Sequence, residues 1–127
     1  MLITEHELEE RAVAPRVTME QVNNSIAKEF FFTAADGVRG ATKHAHKMQG
    51  ASENMELLTF CVLVMKNGFT VTGQSACADA KNFQKDIGQR IAREDAISKI
   101  WELLGYELKT KLTEASFRNE RLQARGL

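Results

Sequence analysis

Ser75 and Cys77 are the residues that invite a nucleophile reading. Neither sits in a G-x-S-x-G bend, the arrangement that exposes a serine between strand and helix. A histidine base would have to be supplied from elsewhere in the chain. The segment 73–77, GQSAC, reads instead as a strand end leading into a helix cap. His44 and His46 are two residues apart, and His6 is far from both. A metal centre needs three or four convergent ligands, and no Cys or Asp lies near this pair, so the histidines are expected to be exposed. No G-x-x-x-x-G-K-[ST] or G-x-G-x-x-G loop is present to cradle a phosphate. These residues imply no catalysis, no metal and no cofactor.

The residues left to consider are candidates for binding. Arg90 and Glu94 stand four apart in a stretch of helical periodicity, inside its apolar stripe. They form either an ion pair at the edge of that stripe or a charged pair facing a pocket or a subunit interface. A charge in an apolar face is costly unless paired. Arg93 and Lys99 add cations to the same stretch. Phe30, Phe31 and Phe32 are consecutive, and a helix cannot bury all three against one neighbour, which makes Phe31 a further binding candidate. Gly88, Ala92 and Ala96 form a stripe of small residues at spacing four. An interior glycine costs a helix roughly 1 kcal/mol relative to alanine, so something gains from the missing side chain. That gain comes either from packing on the sheet or the first helix, or from a helix contact between subunits; the second makes these three candidate interface residues.

Composition narrows the partners. The chain has 127 residues, with 17 Lys and Arg against 17 Asp and Glu, giving no net charge. It lacks the basic excess of non-specific nucleic-acid binders, so nucleic acid is possible but not favoured. Little net repulsion opposes self-association, and a homodimer or higher oligomer is expected. At 43% apolar and 27% charged residues the chain is ordinary for a globular protein. Two cysteines do not make a disulfide framework, and Cys61 sits in an apolar run as a small core residue. The N-terminus has no apolar signal core, and the apolar run 60–65 is too short to span a bilayer. A cytoplasmic protein without a membrane partner is expected.

The elements that would position these residues follow from periodicity. Residues 1–16 read as a charged leader, with a short helix within 2–12. Thr18 with Gln21 is a capping-box pattern, and Val22, Ile26 and Phe30 recur every four residues, which predicts a helix fraying through Phe32. Residues 33–37, TAADG, read as an end signal followed by a turn, and 38–55 as a polar mobile loop. Asn67-Gly68 between apolar, β-branched runs is a strong hairpin signal. A two-residue type I′ turn would set Lys66 opposite Phe69, Val64 opposite Val71 and Val62 opposite Gly73. Phe60, Val62 and Val64 would then share a face with Phe69 and Val71. Cys61, Leu63 and Met65 would lie beside Thr70, Thr72 and Gln74. The first strand is apolar on both faces, so a helix should cover one and another helix or a second subunit the other. A long helix is expected from about Ala80, capped by Asp79, to Leu104. Its buried side would carry Phe83, Ile87, Ile91, Ile97, Trp101 and Leu104, with Trp101 largely buried on the sheet. Gly105 should end or interrupt it, and residues 113–127 form a polar tail. The expected class is α+β: an N-terminal helix, a β-hairpin and a long C-terminal helix packed on the sheet, in one domain over 17–112.

Three stretches together carry a resemblance: FTAADG at 32–37, LTFCVLVMKNGFTVTGQSA at 58–76, and NFQKDIGQRIAREDAISKIW at 82–101. The chain resembles, over roughly 15–112, the small tailed-phage and prophage proteins named after gene products forty-nine and sixty-six of two podoviruses. It departs at Phe30-Phe31, where the family often has His-Tyr, at Asp95, where it often has Asn, and in the extension beyond Leu112. The resemblance implies a phage accessory protein and carries no catalytic or binding residue with it. Together these readings lead to a non-catalytic protein of the host cytoplasm that binds a host or phage protein or a small signalling ligand. The alternative is a nucleic-acid-associated regulator using Arg90, Arg93 and Lys99.

Overall fold

The computed structural model describes residues 3–42 and 53–126. In chain order the elements are α1 (Glu5–Arg11), α2 (Met19–Asn24), β1 (Ile26–Thr33), α3 (Ala34–Ala41), α4 (Glu53–Glu56), β2 (Leu58–Met65), β3 (Thr70–Ala76), a 3-10 turn (Ala80–Asn82) and α5 (Lys85–Ala124). The class is α+β, with a long C-terminal helix on an antiparallel sheet. The chain divides into two compact units, one of Ser25–Lys99 and one of Met1–Asn24 with Ile100–Leu127.

The unit Ser25–Lys99 is built on a sheet ordered β1-β2-β3. The expected hairpin is therefore joined by a third strand, β1, in a segment that reads as helix. The four-residue recurrence of Val22, Ile26 and Phe30 is real, but three consecutive aromatics suit a strand, which sends Phe30 and Phe32 to one face and Phe31 to the other. Pairing with β2 along most of its length then overrides the local helical pattern. Residues 33–37 likewise start a helix rather than end one. Thr33 Oγ1 accepts from the Asp36 N–H (3.1 Å), and the Thr33 N–H donates to Asp36 Oδ2 (2.9 Å), a reciprocal cap on α3. Arg39 ties α3 to α4, bonding Asp36 at 2.9 Å and Glu56 at 2.6 Å.

The β2–β3 turn sits where Asn67-Gly68 places it, but it closes over three residues. The Gly68 N–H donates to Met65 O (2.9 Å), and the Met65 N–H to Phe69 O (2.8 Å). Gly68 alone takes positive φ, at 90°, while Asn67 does not; Asn67 Oδ1 accepts from the Phe69 N–H instead. This is a type I turn closed by a glycine bulge rather than a type I′ turn. The register slips by one residue, so Leu63 faces Val71 and Cys61 faces Gly73. A one-residue slip turns a strand over. Val71 and Gly73 thus join Thr59, Cys61, Leu63 and Met65 on the inner face, where Cys61, Leu63 and Val71 form the core.

The inner face packs on α5 through its smallest residues. A Cβ on Gly73 would lie 2.1 Å from the Ala92 carbonyl oxygen and 2.3 Å from the Ala96 nitrogen. Gly88 faces Thr59, whose hydroxyl would be 3.0 Å from a Cβ there. Ala92 and Ala96 are fully buried. The stripe Gly88, Ala92, Ala96 is therefore covered by the chain's own sheet and is closed to a second subunit. The large residues expected inside, Ile87 and Ile91, are 41% and 48% exposed. A helix this close to a strand leaves no room for them, so it turns its small face inward.

In the second unit, the short helix expected within 2–12 is α1, and the Thr18 and Gln21 cap forms as expected, with bonds of 3.0 and 3.1 Å. Glu5 bonds Arg16 at 2.7 Å, fastening the leader segment around Pro15. Val22 and Ile100 are fully buried, and Trp101 is half-buried. Gly105 neither ends nor interrupts α5, which continues to Ala124. A penalty of about 1 kcal/mol is too small to break a helix between strong helix formers. The residues beyond Leu108 are exposed, so the polar tail is a solvated helix.

Candidate functional site

Neither cysteine is placed as an activated nucleophile. Cys61 is fully buried, and burial, then the nearby Glu29 carboxylate, push its thiol pKa up to about 11. That thiol stays protonated and unreactive near neutrality. Cys77 donates its thiol to Asp79 O (3.2 Å), beside the Asp79 cap of the 3-10 turn. With Phe83, Ile87 and Ile91 it lines a recess of about 130 Å³, well below the roughly 300–1,000 Å³ of small-molecule pockets. Among the described residues no cluster of His, Cys, Asp and Glu is arranged to hold a metal ion. His44 and His46 lie outside the described residues, as does most of the loop expected at 38–55. No helix among the described residues is long and apolar enough to cross a membrane.

The candidate charges separate on the structure. Arg90 and Glu94 are both exposed and form no ion pair with each other. They lie outside the buried stripe, which runs through Ala92 and Ala96. Arg93 reaches Glu29 on β1 at 2.8 Å. The Lys99 ammonium bonds the Thr72 carbonyl, and Asp95 Oδ2 accepts the Gln74 N–H at 3.0 Å. Two of the three cations considered for nucleic acid are thus engaged within the fold. Phe31 lies opposite Cys61 on the inner face and is half-buried.

The exposed aromatics of β1 are its neighbours. On the sheet face turned away from α5, Phe30 is 52% exposed and Phe32 38%. The register sets Phe30 opposite Val62, Phe32 opposite Phe60 and Lys28 opposite Val64. Phe32 and Phe60 pack with ring centroids 5.7 Å apart, tilted by 40°. Phe60, Val62 and Val64 are half-buried, and Thr70, Thr72 and Gln74 continue the face as a polar margin on β3. At one end α3 approaches: a Cβ on Gly37 would sit 3.7 Å from the Phe32 ring. The result is an apolar row, aromatic at its β1 side and bordered on β3 by hydroxyl and amide groups. Contiguous apolar surface with a polar rim marks interaction sites. The sequence pointed to Phe60, Val62 and Val64 as a face needing cover; it hid Phe30 and Phe32 because their strand reads as helix.

No curated protein and no solved structure matches the chain. The model of the Phage protein (N4 Gp49/phage Sf6 gene 66) family matches residues 17–112, which include the whole sheet and the part of α5 packed on it, and the chain belongs to that family.

Proposed function

We propose that this phage protein works by binding rather than catalysis, and that it takes a host protein in the host cytoplasm on the open face of its sheet. The observation that carries the reading is the row Phe30, Phe32, Phe60, Val62 and Val64 on the face away from α5, in which Phe30 and Phe32 are exposed and the other three half-buried. Apolar surface of this kind gains roughly 25 cal/mol per Å² when removed from water. Aromatic side chains are enriched among the residues that carry interface energy. A small signalling ligand is less well served: the recess at Cys77 is about 130 Å³, and a larger space of about 440 Å³ is lined by Phe117, Glu120, Arg121 and Ala124 of α5 alone, which enclose nothing from a second side. A nucleic acid is less well served because Arg93 and Lys99 are bonded to Glu29 and Thr72.

The test compares tagged wild type with Val62→Lys, a charge set in the middle of the face, in host extract. Proteins and extracted metabolites are then identified by mass spectrometry, alongside a low-salt titration with short RNA and DNA. A protein recovered by the wild type and lost by the folded variant is expected. Tight RNA or DNA binding, or a captured metabolite with no protein, would overturn the reading.

A further inference from the structure

The sheet has two edges, and the chain treats them differently. Met65 and Cys77 pair by hydrogen bonds with Phe69 and Leu57. The odd-numbered residues of β2 therefore bond β3, and the even-numbered ones bond β1. On β3 this leaves Thr70, Thr72, Gln74 and Ala76 pointing outward, and α5 engages the middle two: Lys99 takes the Thr72 carbonyl and Asp95 the Gln74 N–H. Engaging an edge in this way prevents strand addition. On β1 the residues bonded to β2 are Lys28, Phe30 and Phe32, opposite Val64, Val62 and Phe60. Glu29 and Phe31 turn their N–H and C=O groups outward, and nothing among the described residues meets them. The next outward N–H, that of Thr33, is taken by Asp36. The open edge is thus two outward residues long, flanked by exposed Phe30 and Phe32. Its inward carboxylate, Glu29, is neutralised by Arg93.

We propose that the chain forms a homodimer through this edge, β1 pairing antiparallel with β1 of a second copy about a twofold axis at Phe30. Only one register satisfies the groups present. With Phe30 opposite Phe30, Glu29 faces Phe31 of the second copy, and all four outward N–H and C=O groups of each chain find partners. Sliding one way sets Phe31 against Ala27, which lies in the irregularity of β1 between Ile26 and Lys28 and is out of step with the alternation of the strand. Sliding the other way sets Glu29 against Thr33, whose N–H is already spent on Asp36. In the register that remains, Lys28 lies opposite Phe32 of the second copy, a cation beside an aromatic ring. The two open faces join into one continuous aromatic row across a six-stranded sheet, twice the three strands of each chain. The edge is self-complementary, which is what a twofold interface requires.

The experiment measures mass by sedimentation equilibrium over a hundredfold concentration range. Wild type should reach twice 14.2 kDa. Phe30→Glu and Phe30→Lys, each placing like charges opposite one another, should each weaken association roughly tenfold or more. Mixing the two variants should restore the dimer. In a Cys77→Ser background, Phe30→Cys should form a disulfide-linked dimer on mild oxidation, because opposed non-hydrogen-bonded positions lie roughly 4.5 Å apart at Cα. Lys28→Cys should link to Phe32→Cys and not to itself. A monomer at every concentration, a dimer indifferent to both charge variants, or Lys28→Cys linking to itself would overturn the proposal. If the charge variants fail to fold, the cysteine series decides alone.

Discussion

Replacing Gly73 by alanine tests the closest approach in the fold. The new Cβ would lie 2.1 Å from the Ala92 carbonyl oxygen, 2.3 Å from the Ala96 nitrogen and 2.9 Å from the Ala96 Cβ. Two of these neighbours are helix backbone, which cannot rotate away. Reaching an ordinary contact of 3.4 Å requires α5 and β3 to separate by about 1.3 Å. A gap of roughly 0.5–1 Å already forfeits a quarter to a half of each dispersion contact, and overpacked cores typically lose about 1–3 kcal/mol. The bonds from Asp95 to the Gln74 N–H and from Lys99 to the Thr72 carbonyl cross the same gap, at about 1 kcal/mol each. Against this, alanine recovers about 0.5–1 kcal/mol of backbone entropy. The expected net loss is about 2–4 kcal/mol, read from urea unfolding followed by far-ultraviolet circular dichroism. Gly105→Ala is the control: no atom lies within 4 Å of its added Cβ, and it should stabilise the protein by about 0.5–1 kcal/mol. A Gly73→Ala loss below about 1 kcal/mol would refute the packing described here.

Gly68→Val should cost roughly 1–2 kcal/mol; no atom lies near the added carbon and φ is 90°, so the cost is backbone strain, and an unchanged thermal melt would contradict the turn. An aromatic disulfide reagent at neutral pH should modify Cys77 alone in the native chain and both cysteines after unfolding, because the buried Cys61 thiol pKa is raised to about 11. Rapid native modification of both would contradict the core assignment. The Thr33 N–H, then Arg39, holds the Asp36 carboxyl below the usual aspartate range. Its folded pKa lies below its unfolded one, so its stabilising contribution is complete above that range and is lost as pH falls through the folded pKa. The stability difference between wild type and Asp36→Asn should therefore shrink on acidification below about pH 4, and a difference constant from neutral to strongly acidic pH would count against the cap.

The parts of this fold legible in sequence are those set by neighbours in the chain. Thr18 with Gln21 and Asn67-Gly68 act over three residues or fewer, and both are where the sequence puts them. The hairpin register was not legible, because Asn-Gly serves both closures: the two-residue one needs positive φ at Asn67 and Gly68, the three-residue one at Gly68 alone. β1 was hidden for a stronger reason. Val22, Ile26 and Phe30 fit a helix, and only pairing with residues 59–65 makes the segment a strand. The inward face of α5 was misjudged because hydrophobic size favours Ile87 and Ile91, whereas the decisive quantity was the clearance at Gly73. The candidate site shifted accordingly. Arg93 pairs with Glu29, 64 residues away in the chain, which periodicity does not reveal, and with the helix become a strand it is Phe30 and Phe32, not Phe31, that are exposed.

The central claim is that the open sheet face receives a host protein, and site-specific crosslinking tests it most directly. A photoreactive residue replaces Val62, at the middle of the face, or Glu94, on the exposed side of α5, and the chain is irradiated inside host cells. Crosslinking from position 62 to a single host protein, and none of that product from position 94, is the predicted result. Crosslinking from position 62 only to nucleic acid or to a second copy of the chain, or to the same host protein equally from position 94, would contradict it.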